Sequence, residues 1–172
     1  MATGPLYHFS DERGIARFVP RSPLERPEVE PLVWAIDAWH APMYYVPRDC
    51  PRACFWAIES TTANDARRFG LGGEHRFAMV VEEAWWERIQ AATVYRYELP
   101  PRTFELNDAT AGHYVSREPV TPLAVEALPD LARRIRAEGV DLRVMPRLLP
   151  LWAEIIASTV AFSGTRLRNA QD

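Results

Sequence analysis

The chain contains no lysine; its 20 basic residues among 172 are all arginine. Mechanisms that need a lysine amine, such as a Schiff base or the phosphate-gripping lysine of a P-loop, are therefore excluded. Cysteine is nearly absent too. Cys50 and Cys54 stand alone and the four histidines are scattered, so no zinc ligand set is spelled out, and two reduced thiols of a cytoplasmic protein are expected. No basic stretch leads into an apolar one near the start, so no signal peptide is expected. No uninterrupted apolar run approaches the roughly eighteen residues that a membrane helix needs. Positive charge is not in excess either. A net charge of −3 argues against a protein that coats nucleic acid or an anionic membrane.

What is present describes a packed globule, 48% hydrophobic, 25% charged and 11% aromatic, far from the composition of disorder. The length suits one domain, over 1–164, with a frayed tail at 165–172. Pro5 to Ser10 reads as a short aromatic strand that Asp11-Glu12-Arg13-Gly14 stops. The proline-rich Pro20–Glu28 reads as a flap. Leu32–Ile36 is a strand, closed by Asp37 as N-cap of a turn from Ala38 to Tyr45 that Pro42 limits. Cys54–Ile58 is a strand, and the polar Glu59–Gly73 reads as a mobile loop with room for one helical turn.

Phe77–Val81 is a strand running into a helix near Glu82–Gln90, whose two leading glutamates suit a helix N-terminus. Thr93–Leu99 alternates with period two, placing Val94, Arg96 and Glu98 on one face and Tyr95, Tyr97 and Leu99 on the other. Thr103–Leu106 and Gly112–Ser116 are further strands, and Pro119–Leu128 is extended. Asp130–Glu138 is a helix that Gly139 ends, and Val140–Val144 is a strand. Apolar residues from Leu148 through Trp152, Ile155 and Ile156 to Val160 recur at helical spacing, so a last helix is expected up to Ser163-Gly164. The sum is an α+β domain: a split, mixed or antiparallel sheet of short strands with a few flanking helices.

Histidine, tyrosine and hydroxyl side chains gather at strand ends in three places: Tyr7-His8-Phe9-Ser10, the run from Trp34 to Tyr45, and Gly112 to Pro119. Strand ends carry sites because a rigid support there meets loops. A histidine in such a place is also a common structural hydrogen-bonder, and a tyrosine pair a common packing element.

The order of these segments resembles the ADP-ribosyltransferase-like superfamily, within a bacterial family of about this length for which the resemblance implies no reaction. Tyr7-His8 resembles that superfamily's first-strand histidine with its preceding aromatic. Val33-Trp34-Ala35-Ile36 through Tyr45 resembles its second strand and the helix that ends in tyrosine. Gly112 to Val120 resembles its late strand, with a departure: His113 stands where the His-Tyr-Glu pattern places glutamate. The resemblance implies a cleft for NAD or a related nucleotide, with His8, Tyr45 and His113 as the catalytic positions. It implies His8 on a ribose hydroxyl, Tyr45 or Tyr44 stacked on the base, and Tyr7, Ser10 and Trp34 around them. The lost glutamate puts ADP-ribosyl transfer in question, since an imidazolium opposes a developing cation; Glu118, Asp37 and Glu98 are the carboxylates that could replace it.

Arginine forks meet phosphate in bidentate fashion, so Arg48 and Arg52, or Arg13, Arg17 and Arg21, are candidates for a pyrophosphate. A local arginine cluster on an acidic chain suits a small nucleotide better than a long nucleic acid. The functions to weigh are an NAD- or nucleotide-binding protein (an ADP-ribosyl or phosphoryl transferase if it is an enzyme), a non-catalytic interaction protein that keeps the fold, and an RNA-directed transferase.

Overall fold

The computed structural model describes residues 4–22 and 27–171; much of the proline-rich flap expected at 20–28 lies outside them. In chain order the elements are β1 (Leu6–Ser10), β2 (Val33–Asp37), β3 (Arg52–Trp56), α1 (Ala63–Arg68), β4 (Phe77–Glu82), α2 (Trp86–Ala91) and β5 (Val94–Leu99). There follow β6 (Glu105–Asp108), β7 (His113–Ser116), β8 (Ala124–Leu128), α3 (Leu131–Ala137), β9 (Val140–Met145), α4 (Leu149–Ile156) and β10 (Ala161–Thr165). Short strands in two sheets with a few short helices make this an α+β protein. The chain divides into two compact units, one from the residues up to Tyr44 with Val94–Leu128, the other from Tyr45–Thr93 with the chain from Pro129 on.

The first unit is a six-stranded sheet in the order β6-β7-β2-β1-β5-β8, with every pairing antiparallel. The alternation read from Val94–Leu99 sets its faces. Tyr97 and Leu99 join Leu6, Val33, Ala35, Phe18, Phe104 and Val120 in a buried cluster. Tyr97 does more than pack: its hydroxyl accepts from the N–H groups of Gly14 (2.9 Å) and Ile15 (3.1 Å) and donates to the Glu12 carbonyl (2.8 Å). One buried phenol thus fixes the turn that ends β1. Ser10 serves the same turn, its Oγ accepting from Glu12 N–H at 3.1 Å; it is buried, in a turn-holding role rather than the ligand-facing one expected.

The second unit carries the order β10-β3-β4-β9, antiparallel except where β4 runs parallel to β9. Its core gathers Phe55, Phe69, Val80, Leu148, Ile155 and Val160. Three sequence expectations change here. The loop expected over 59–73 contains a capped helix: Thr62 Oγ accepts from Asp65 N–H at 3.2 Å at the start of α1. At its end Gly70, at φ +66°, sends its N–H to the Arg67 carbonyl and Leu71 N–H reaches the Ala66 carbonyl, a Schellman stop.

The last helix stops at Ile156, earlier than its periodicity suggests. Ser158 Oγ donates to the Ile155 carbonyl at 2.7 Å, and Thr159 is pinned by Asp65, whose Oδ2 accepts from its N–H at 2.9 Å and its hydroxyl at 2.6 Å. Side-chain bonds of this kind compete with the helix ladder, and the chain then enters β10 against β3, with Phe162 opposite Phe55. Gly164 is fixed by packing: a Cβ there would stand 2.6 Å from the Trp152 ring. The tail expected to fray is instead tied down. Asn169 Nδ2 donates to the Asp49 carbonyl at 2.7 Å, and Gln171 N–H reaches the Glu82 carboxylate at 3.1 Å.

Candidate functional site

The site residues named from sequence fall in different places, and strand register sorts them. Tyr7 pairs with Ile36, and Ile36 with His113, so Tyr7 and His113 share one face of the first unit's sheet. His8 pairs with Tyr97, and Tyr97 belongs to the buried cluster, so His8 lies on the opposite face. The two imidazoles expected to meet in one hollow therefore do not. Tyr45 is buried and belongs, with exposed Arg48, to the second unit. Arg52, the other member of that arginine cluster, is buried and donates from Nη1 to the Cys50 carbonyl at 3.0 Å.

His8 occupies a break in the sheet. The β1–β2 pairing ends at Tyr7–Ile36, and beyond it the Trp34 carbonyl accepts from His8 Nδ1 at 2.8 Å. A carbonyl cannot donate, so the proton sits on Nδ1. The ring lies 4.6 Å from that of buried Phe18. Thus His8 replaces a rung of the ladder where two strands part.

The Tyr7 face is aromatic and partly open. Trp34 is 37% exposed, and Tyr7, Phe9, Tyr44 and His113 are half-buried. Tyr44, at the end of the tight turn Ala41–Tyr44, stacks on Phe9 with centroids 5.9 Å apart and planes 14° from parallel. Its hydroxyl shares a 2.9 Å hydrogen bond with His113 Nε2. The Trp34 ring meets His113 edge-on at 5.9 Å. At the other side Arg96 lies 4.8 Å over the Tyr7 ring and pairs with Glu126.

Behind His113 stands a pair that spacing alone reveals only in part. Asp37 was expected to cap the following turn, and its Oδ1 does accept from His40 N–H at 2.8 Å. The same oxygen binds His40 Nδ1, also at 2.8 Å, and His40 is only 7% exposed. Gly112, at φ +66°, passes directly over this pair: a Cβ there would stand 2.1 Å from His40 Nδ1. Its carbonyl accepts from Asp37 N–H at 3.0 Å. The signal in the sequence was Asp37-x-x-His40 and a glycine before His113, but only the register of β2 on β7 unites them.

Burial pulls the Asp37 carboxyl upward, but the hydrogen bonds and charge of His40 outweigh it, and its pKa lies below 3.8. For His113, burial is the main cause and lowers the pKa below 6.5; Asp108 and Asp37 oppose the shift and His40 adds to it. His113 is thus neutral at neutral pH, a hydrogen-bonding group without charge. The sign of the pH dependence follows. A lowered folded-state pKa means that the unfolded chain binds protons first, so the stability owed to His113 is complete above 6.5 and declines as pH falls through its folded value. Asp37 adds a second acid step beginning only below 3.8. Melting temperatures of the parent and of His113→Gln, compared between about pH 7.5 and about pH 5, should show a smaller acid loss in the variant. An identical loss would remove His113 from that role.

The features define an α+β protein with an aromatic, histidine-bearing sheet face. A family model of unknown function, DUF6886, matches residues 7–170, and the chain belongs to that family. No curated protein and no solved structure matches it. Among the described residues no helix is long and apolar enough to cross a membrane, and no cluster of side chains is suited to a metal ion.

Proposed function

We propose that this protein binds NAD or a related nucleotide on the aromatic face of the first unit, with a flat ring of the ligand laid against Trp34 and Tyr44. The observation that carries this reading is the half-open cluster Tyr7–Phe9–Trp34–Tyr44 around a neutral His113. Rings of this kind stack on bases and nicotinamide-like rings, each contact contributing about 1–3 kcal/mol. The His113–Tyr44 pair offers a neutral donor and acceptor suited to a ribose hydroxyl.

The same pair bears on transfer chemistry. A carboxylate at the third position would stabilise the positive charge that develops when a glycosidic bond breaks. A neutral imidazole held by a phenol orients a hydroxyl without supplying that charge, so the reading is one of binding. ADP-ribosyl transfer would require the carboxylate of another residue.

Calorimetric titration with NAD, ADP-ribose and nicotinamide tests the reading. Saturable heat is expected, with Trp34→Ala weakening the affinity about tenfold, as the loss of one stacking contact implies. Trp34 is partly exposed, so this change should leave the melting temperature near that of the parent. Absence of heat at millimolar NAD, or a Trp34→Ala protein that binds as the parent does, would turn the assignment toward a protein-interaction surface.

A further inference from the structure

The sheet of the first unit ends differently on its two sides. β6 forms one edge; it carries Glu105 and Asp108, and its register on β7 slips between Leu106 and Asp108. Charged side chains and a bulge are ways of keeping another strand off an edge. β8 forms the other edge and has no slip: five consecutive pairs, from Val94–Leu128 to Glu98–Ala124, hold it to β5. Its one charged residue, Glu126, is matched by Arg96. Among the described residues no strand pairs with the outer side of β8.

The apolar layer of the sheet runs open at this edge. Val125 pairs with Tyr97 and Ala127 with Tyr95. Tyr97 belongs to the buried cluster and Tyr95 packs against it, so Val125 and Ala127 lie on that same face. Yet Tyr97 is 1% exposed and Val125 49%, with Leu123 at 63% just before the strand. A regular strand with bare backbone and exposed apolar side chains is a template for one more strand.

The strand's own sequence fits that place. When two identical strands meet antiparallel about a twofold axis perpendicular to the sheet, paired residues point to the same side. One residue at the centre must then face its own twin. Glu126 at the centre would set two carboxylates directly opposite each other, a destabilising pair. Ala124 or Ala127 at the centre would draw Pro122 or Pro129 into the ladder, where proline has no N–H to give. Val125 at the centre avoids both. Val125 then meets its twin, Ala124 meets Glu126 and Leu123 meets Ala127, so the apolar layer passes from one copy into the next.

We infer that the outer edge of β8 is a dimerisation surface and that its partner is a second copy of this chain, the two β8 strands pairing antiparallel about Val125. This joint uses the same edge of both copies and closes on itself, while the blunted β6 edge stops further growth. The product is a dimer in which two six-stranded sheets become one, not a fibre. Both aromatic faces then lie on the same side of the joined sheet, whatever they bind. A single strand pair buries less than the roughly 800 Å² per partner of a standard-sized complex, so the dimer is weak and forms with rising concentration.

Sedimentation equilibrium of the full chain from about 1 μM to about 1 mM, the range of weak association, should show the mass rising from one chain toward two and stopping there. Val125→Lys and Val125→Glu each set like charges at the twofold, and each should stay monomeric over the same range. Val125 is 49% exposed, so both variants should keep the parent's melting temperature. Mixed in equal amounts they should associate again, because position 125 faces itself only in this register. If neither variant folds, amide hydrogen exchange of the parent decides: residues 123–127 should gain protection with concentration and β6 should not. A mass fixed at one chain, growth past two copies or edge amides indifferent to concentration would overturn the assignment. So would a dimer that survives either substitution, or variants that fail to recombine.

Discussion

Gly112→Ala is expected to destabilise the protein by about 3–5 kcal/mol, the sum of a strained left-handed backbone and a broken, partly buried hydrogen-bonded pair. The backbone part arises because Gly112 sits at φ +66°, where an L side chain is disfavoured. The larger part is steric. A Cβ would stand 2.1 Å from His40 Nδ1 and 2.6 Å from Asp37 Oδ2, and neither group can retreat without releasing the 2.8 Å bond between them. Because Asp37 N–H also reaches the Gly112 carbonyl, the β2–β7 junction that carries His113 should loosen with it. Urea denaturation measures the loss, and the double variant Gly112→Ala/His40→Ala identifies its origin. Trimming the imidazole removes the nearest clash, so the second change should cost less in the variant background than in the parent. A loss below about 1 kcal/mol, or strictly additive changes, would show that the chain bends around the new methyl and that the pair is not held in place by the glycine.

That junction shows where a sequence can be read and where it cannot. Strand existence was legible wherever period-two alternation was strong: Val94–Leu99 forms β5 with the faces its pattern implies, and Val140–Val144 lies within β9. The Leu131–Ala137 helix was legible from its apolar pair and from Gly139, which stands at φ +75°. The histidines were legible as strand residues, but not their faces. His8 and His113 differ by one step of alternation across three strands, and a one-residue shift in any pairing moves a side chain to the other side of the sheet. Local spacing carries no information on that register. The end of α4 was missed for a related reason. Thr159 fits the helical stripe, but its partner is Asp65, distant in sequence, and a long-range bond overrode a local period. Tyr97 has the same character: alternation placed it in the core, whereas its three bonds to the turn at 12–15 depend on where β5 lies beside β1.

Glu82 gives the second large effect, and it inverts the sequence reading most sharply. Two adjacent glutamates ahead of a helix look like charges placed for the helix dipole. Glu83 does open the short turn Glu83–Trp85, but the Glu82 side chain makes no capping bond to it. Glu82 ends β4 and is 0% exposed. Its Oε1 accepts from Leu148 N–H at 2.9 Å, at the entry of α4, and both oxygens lie 3.1 Å from Gln171 N–H. One buried carboxylate therefore fastens the last helix and the last segment to the sheet. Glu82→Ala removes the acceptor from both donors and leaves the buried Leu148 N–H without one, while the Gln171 N–H is only partly buried. At about 1–3 kcal/mol for a buried donor left unsatisfied, and less for one that water can reach, the expected loss is about 2–4 kcal/mol. Glu82→Gln keeps one acceptor oxygen of the same shape, so it should retain the Leu148 bond, weaken the one to Gln171 and cost roughly half as much. Amide hydrogen exchange separates the two contributions: Leu148 should lose protection in the alanine variant alone, Gln171 in both. Equal stabilities for the alanine and glutamine variants would mean that shape, not hydrogen bonding, accounts for the buried glutamate.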